Sequence, residues 1–454
     1  MQRTKKSIIL LTAYFLLLSR PSFGVQPATQ DGNKGYIQKN DTTENISSKS
    51  LTGFKLPRIP KIPIHAPKEY IPFANLDAFG TYSNPNKGND VWGFIIDGAI
   101  SPAMKYDDKL YIIPLYNGSY EREKFFVQEE EGNMAYNEIQ HHDLSVTAKY
   151  LLTKNATLSP TIFGGWDLNV ETKDEDWGKG LYDYRELGSG CDFDYLVYDE
   201  PKSQILLTSG AKWYFRHYPN YHSLISLATV TAPEKDEKDY NGIEMSTGWK
   251  YSNLKNMSIN LKYYLLLKYF PDKKVIDADG ILENKKRQEY RNFVKADIFY
   301  APVADKGFQY NCSAEFTCNT GNENFYDSRG TVTLTDDVFT PKYYDYLAFE
   351  VHPQISYIFR NEKRANAIIS GGYTFLMRNY LHRKAQDADG AYKSDTESDY
   401  EHVFAANINI PFDDHISWVT RYDYTIDLSN MDFERYYTYG YKMHRVLTGI
   451  SISY

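Results

Sequence analysis

The chain has 454 residues, 42% hydrophobic and 24% charged, with a formal charge of −8 and a mean hydropathy of −0.56. The acidic balance excludes nucleic acid and anionic lipid surfaces as principal partners. After the N-terminus no run of about 18 apolar residues exists, which excludes helical membrane spans. Tyr is the compositional outlier, with 41 residues against 24 Phe and 6 Trp, and its amphipathic ring suits a boundary between an apolar medium and water.

Arg3, Lys5 and Lys6 precede an apolar stretch from Ile8 to Leu18 and a small-x-small site, Ser22-Phe23-Gly24. That order is a secretory leader over 1–24. Its removal takes Arg3, Lys5, Lys6 and Arg20 away and leaves a mature chain at −12. Residues 25 to about 50 are polar and poor in large apolar side chains, so they are expected to be disordered. Pro57, Pro60 and Pro63 then recur at the polyproline II period. The whole of 25–73 reads as a proline-containing periplasmic extension, either a stiff tether or a segment that docks on a partner or enters a lumen.

From residue 74 to 454 the chain alternates. Leu76, Ala78, Gly80 and Tyr82 oppose Asn75, Asp77 and Thr81. Leu144, Val146, Ala148, Tyr150 and Leu152 oppose Asp143, Ser145, Thr147 and Lys149. The same pattern covers 158–171, 257–269, 308–319 and 347–359, and it returns in Val446, Thr448, Ile450, Ile452 and Tyr454 against Leu447, Gly449, Ser451 and Ser453. A period of two means strands with one apolar face. These runs are longer than the strands of soluble proteins and long enough to cross a bilayer at a tilt.

Short connections near 105–108, 154–155, 200–203, 252–256, 302–306, 361–364 and 411–415 alternate with long charged ones near 122–140, 172–189, 217–239, 270–289, 320–344, 381–398 and 427–435. Short turns on one side and long loops on the other predict an all-β, closed antiparallel transmembrane barrel with short periplasmic turns and long outer loops. Counting strands between turns gives about 16, with 74–82 as the first and Tyr436–Tyr454 as the last; 14 is the competing count. Closure requires the last strand to pair with both 416–426 and 74–82. An internal repeat relates 264–302 to 374–411: Asp277-Ala278-Asp279-Gly280 matches Asp387-Ala388-Asp389-Gly390, and Tyr290 matches Tyr400.

The polar parity of the strands carries a mixed set of charges. Arg216, Lys262, Lys295, Glu350, Arg378, Arg421 and Asp423 are the candidate lumen-lining residues. Mixed charges on the inner face suit either a hydrated, weakly selective pore or a lumen filled with ion pairs. His141-His142-Asp143 beside Ser145 is the one cluster that a hydrolase could use, and an enzyme is not expected. The two Asp-Ala-Asp-Gly turns could hold Ca²⁺ but lack the further ligands of a full loop, so neither a metal nor a cofactor is expected. Cys312 and Cys318 share one strand, about 20 Å apart, far beyond the ~7 Å Cα separation of a disulfide; with Cys191 they are expected to be free thiols.

The end of the chain resembles the assembly signal of bacterial outer-membrane β-barrel proteins, a porin-like class whose last strand carries Gly-x-x-apolar-x-aromatic. Here Gly449, Ile452 and Tyr454 stand at the matching positions, with Leu447 where that pattern prefers a polar residue. The resemblance covers 74–454. It implies location in the outer membrane of a Gram-negative bacterium, with membrane lipid, the barrel-assembly machinery and small solutes as partners. The expected function is a passive or weakly selective channel for small polar solutes. Two other readings stand beside it: a filled barrel whose outer loops bind partners, and an outer-membrane hydrolase.

Overall fold

In the computed structural model, residues 66–454 are described apart from 88–89, 127–133, 171–174, 201, 222–235, 254–255, 304–305, 328–337, 360–365 and 434–438. The leader and most of the extension, 1–65, lie outside the described residues. The elements are β1 (Glu69–Ile71), β2 (Ala74–Pro85), β3 (Val91–Ile100), β4 (Ala103–Lys105), β5 (Leu110–Phe126), β6 (Met134–Leu151), β7 (Ala156–Val170), β8 (Tyr184–Glu200), β9 (Ser203–His217) and β10 (Tyr240–Asn253). They continue with β11 (Met257–Ile276), β12 (Leu282–Tyr300), β13 (Gly307–Gly321), β14 (Phe325–Asp327), β15 (Val338–Thr340), β16 (Tyr346–Phe359), β17 (Ala367–Gln386), β18 (Tyr392–Pro411), β19 (Ile416–Ser429) and β20 (Lys442–Ser453).

Among these, β2, β3, β5 to β13 and β16 to β20 pair antiparallel, each with its neighbours, into a closed wall of sixteen strands. The seam lies where expected. Ile452 on β20 faces Leu76 on β2 and Ile416 on β19, and Tyr454 exchanges two backbone hydrogen bonds with Ala74 at 2.8 and 3.0 Å. Among the described residues the last strand begins at Lys442, and the expected start at Tyr436 lies outside them. Pro102 separates β3 from β4, because a residue without an N–H cannot continue the ladder. The short β4 pairs instead with β1, which comes from the end of the proline-containing stretch. β14 and β15 form a separate hairpin over the outer end.

The wall is inside out by the standards of a soluble protein. Large apolar side chains on one parity face outward: Ile162, Leu187 and Trp92 are 66%, 65% and 64% exposed. The buried apolar set among the described residues is small, with Val91, Ala99 and Ala301 as examples. A continuous apolar band of this kind is stable only against lipid hydrocarbon, and closure leaves no unpaired strand edge within it. Aromatic residues mark the periplasmic rim, where Tyr357 meets Phe308 and Phe359 at 4.9 and 4.7 Å and Tyr454 stacks on His415 at 5.6 Å. Three outward histidines are satisfied within the wall. Tyr116, Tyr373 and Tyr422 hydroxyls lie 2.7–2.8 Å from Nδ1 of His142, His402 and His444, which spares each ring an unmet polar atom in lipid. Cys191, Cys312 and Cys318 are free thiols.

The outer connections correct one expectation. Much of 270–289 and 381–398 is strand, not loop: β11 and β12 run on to a five-residue turn at 277–281, and β17 and β18 do the same at 387–391. Beyond the membrane both strand faces meet water or neighbouring loops, so the apolar alternation that marks a strand is lost. The two hairpins are copies. Lys274 faces Lys286 and Lys384 faces Thr396, with the same two register shifts in each. The copying extends to the next strand. Asn322 accepts from Gln288 N–H and donates to the Lys286 carbonyl at 2.7 and 2.9 Å; Asn430 does the same to Ser398 and Thr396 at 2.9 and 2.8 Å.

Candidate functional site

The candidate site is the inner wall. Along each strand the parity opposite the lipid-facing side chains points inward, and register sets which of those residues are neighbours. Lys262 on β11 stands directly opposite Lys295 on β12, Lys295 opposite Glu315 on β13, and Glu315 opposite Glu350 on β16. One row outward, Tyr264 and Phe293 stack at 4.5 Å and 7° between planes. Lys262 Nζ lies 4.8 Å from the Tyr264 ring and the Arg291 guanidinium 5.2 Å from the Phe293 ring, so a cation covers each end of the stack. Arg378 sits 5.2 Å over Tyr346 and has no carboxylate within ion-pair distance among the described residues. Arg421 bonds Asp423 at 2.8 Å on the same strand. Arg216 binds Glu186 through Nε and Nη2 at 2.9 and 2.6 Å and lies 4.0 Å over Tyr184. All seven candidate lining residues lie on the strand parity opposite the exposed apolar side chains. Four of them form no common cluster: Arg216, Arg378 and the Arg421–Asp423 pair lie on separate parts of the wall.

Near the outer rim one device occurs three times. Asp183, Asp239 and Asp345 each immediately precede a strand and accept a hydrogen bond from the backbone at the end of a neighbouring strand, at Asn169, Tyr218 and Gly321 (2.6–2.8 Å). All three are buried. The following Tyr184, Tyr240 and Tyr346 meet Tyr218, Phe270 and Tyr380 at 5.3–5.9 Å. Two residues before each of those partners stands a cation, Arg216, Lys268 or Arg378, over one of the tyrosines. The carboxylate closes a strand end, and the ring pair carries the cation on the inner wall. The repeated Asp-Tyr dipeptide, followed 30 to 34 residues later by an aromatic of the cation-x-aromatic pattern, is visible in the sequence. Its meaning depends on strand pairing. Burial raises the carboxyls of Asp183 and Asp345 against the lowering effect of the backbone N–H. Asp345→Ala is expected to leave the Gly321 N–H unmet, at about 1–3 kcal/mol, and to raise hydrogen exchange at 319–323; unchanged protection there would contradict it.

Other sequence candidates are not assembled. His142 faces the lipid side, stacked on Trp166 at 4.9 Å, while Ser145 has the opposite, inward parity. His141 faces inward but contacts Asp143 and Asp167 at 2.7 and 3.6 Å. No Ser/His/Asp device results from these residues. Asp277 Oδ1 accepts from the backbone of Asp279 and Ile281, and Asp387 Oδ1 from Asp389 and Ala391, at 2.8–3.1 Å. These carboxylates shape their own turns. His217, Asp236 and Asp239 bring one ligand atom each within 4.8 Å. Asp239 Oδ2 is bound to His217 Nδ1 at 2.6 Å, and its other oxygen performs the strand-closing role that Asp183 and Asp345 perform without a histidine.

The geometry decides the class: sixteen paired strands close on themselves, apolar outside and charged inside. The chain is a transmembrane β-barrel of the bacterial outer-membrane type. No family model matches the sequence, and no curated protein does. Among solved structures the barrel is similar to OmpT, an outer membrane protein of Vibrio cholerae, at 10% identity over 85% of this chain and 99% of that one, with a TM-score of 0.40. It is also similar to Pseudomonas aeruginosa OccD3 (OpdP), at 10% over 86% and 93% with a TM-score of 0.39. A third is Pseudomonas aeruginosa OpdK with vanillate, at 9% over 84% and 99% with a TM-score of 0.39.

Proposed function

We propose that the barrel is a passive, weakly selective channel for small polar solutes. The observation that carries this is the solvent reach of inward charges. Lys212, Arg291 and Arg421 point away from lipid, yet their side chains are 45%, 41% and 41% exposed. Ion pairs that filled a lumen would be buried and mutually satisfied. A sixteen-strand circumference is also the size at which barrels hold water. Both signs line the wall, which favours weak over strong ion selectivity. The test is planar-bilayer recording with the folded protein. Discrete steps whose conductance grows with KCl concentration are expected, and a folded barrel that gives no steps overturns the reading. A second reading, partner binding by the outer hairpins, is favoured by the tip of β11–β12, where Ile281 is 62% exposed. Deletion of 277–281 would then abolish surface binding and leave conductance unchanged.

A further inference from the structure

The row Lys262, Lys295, Glu315, Glu350 has an order that folding alone does not favour. Like charges directly opposite on neighbouring strands repel, and here two such pairs lie side by side. An alternating order on the same four strands would neutralise itself. Lys295 stands opposite one acid, Glu315, but neither lysine forms a close ion pair. Among the described residues neither has a carboxylate within 4.0 Å, and Lys262 Nζ lies over the Tyr264 ring. Gly248 stands opposite Lys262 on the other side, and a Cβ there would crowd the Lys262 backbone and stem. The space beside the lysine is kept clear. On the acidic side, Glu315 accepts from Thr317 at 2.9 Å and touches Arg291 at 3.4 Å, while Glu350 has no hydrogen bond or ion pair among the described residues. The row continues through Leu376 to Glu401, another acid.

We propose that this row is a binding site for a short zwitterionic peptide, its carboxylate on Lys262 and Lys295 and its ammonium on Glu350 and Glu315. One ligand of this class neutralises both like-charge pairs, whereas an anion or a cation neutralises one and is repelled by the other. The dimensions agree. Strands are spaced at ~4.8 Å, so the two pairs are centred about 10 Å apart along the wall. The side chains can lean toward each other across that gap, and the termini of a dipeptide stand about 7 Å apart. The lysine ammonium and glutamate carboxylate supply charge-assisted bonds at each end. The site deepens the channel reading, because a channel with this row would favour zwitterions among polar solutes.

The experiment is calorimetric titration of the folded, detergent-solubilised full barrel with three probes: diglycine, N-acetyl-diglycine, which lacks the ammonium, and diglycinamide, which lacks the carboxylate. Diglycine is expected to bind about tenfold more tightly than either truncated probe. Lys262→Met with Lys295→Met is expected to erase its advantage over diglycinamide, and Glu350→Gln its advantage over N-acetyl-diglycine. Lys262→Arg with Lys295→Arg keeps the preference and shows that charge, not damage to the fold, is responsible. Equal affinity for the three probes, no binding of diglycine, or a preference that survives the Met variant overturns the proposal. Titration in detergent does not depend on conduction. Zwitterion binding without bilayer conductance would sink the channel alone, and conductance without the preference would sink the site alone.

Discussion

A Gly449→Val chain is expected to fail to close. Gly449 lies on β20 at the seam, opposite Phe79 on β2 and Val419 on β19. A Cβ at this position would run into the carbonyl of Ala78, a backbone atom of the pairing strand that cannot turn aside as a side chain can. Overpacking commonly costs about 1–3 kcal/mol where side chains can adjust, and a backbone obstruction at the one pairing that converts a sheet into a barrel should exceed that. Refolding into detergent, followed by heat-dependent electrophoretic mobility and protease resistance, reads the outcome. The folded yield should fall more than about tenfold, at a cost above 1.4 kcal/mol. Gly80→Ala on the neighbouring strand is the control, since its Cβ would meet nothing closer than the Thr448 carbonyl at 3.9 Å. Normal folding of the valine variant in detergent would remove the steric account. If that same variant still failed in cells, the position would act through the assembly machinery, the role implied by the resemblance of Gly449, Ile452 and Tyr454 to an assembly signal.

The second large effect belongs to Glu397, on the part of β18 that rises beyond the membrane. Its side chain is 2% exposed, and Arg383 Nε lies 2.6 Å from its Oε2 without the alignment of a hydrogen bond. Arg383 is itself held between the rings of Tyr343 and Tyr380 at 5.0 and 4.9 Å. Burial pushes the Glu397 carboxyl up to about 7, and the opposing pull of Arg383 does not cancel it. A carboxyl raised on folding favours the protonated folded state. Its contribution to stability is fully present below the ordinary carboxylate range and is lost as pH rises through about 7. Stability of the β17–β18 hairpin should therefore fall between pH 5 and pH 8, by an amount on the order of 2–3 kcal/mol. Glu397→Gln should flatten that dependence. Arg383→Met removes the counter-charge and should destabilise the hairpin by about 3–5 kcal/mol at pH 8, and by less at pH 5, where the carboxyl is neutral. Hydrogen exchange across 381–398 at the two pH values measures both. A hairpin equally protected at pH 5 and pH 8 would contradict the buried-carboxyl account.

Much of this barrel was legible in one strand period. Alternation assigned Leu144 and Val146 to the lipid and Lys262, Lys295 and Glu350 to the interior, and it placed the closing partners at 74–82 and 416–426. The physical reason is that the solvent differs on the two faces of every membrane-crossing strand, so each residue carries the mark of its side. The Asp-Ala-Asp-Gly repeat pointed to a duplication whose extent the matching brackets of Asn322 and Asn430 now define.

Alternation says which face a residue takes and nothing of its neighbour across the strand. That neighbour depends on register, set by turn lengths and by the single seam that fixes all sixteen strands together. The adjacency of Lys262 with Lys295 and of Glu315 with Glu350, and the threefold Asp-Tyr device, were decided there. So was the strand character of 270–276 and 381–386. Where the chain leaves the membrane both faces meet similar surroundings, the period of two disappears, and the contact of Arg383 with Glu397 exists only because a tertiary pairing carries the hairpin on. The sequence by itself determined a wall with an outside and an inside, because lipid and water sort side chains residue by residue. Only the tertiary structure decided which inward charges stand together, because that depends on how separate strands are set against one another.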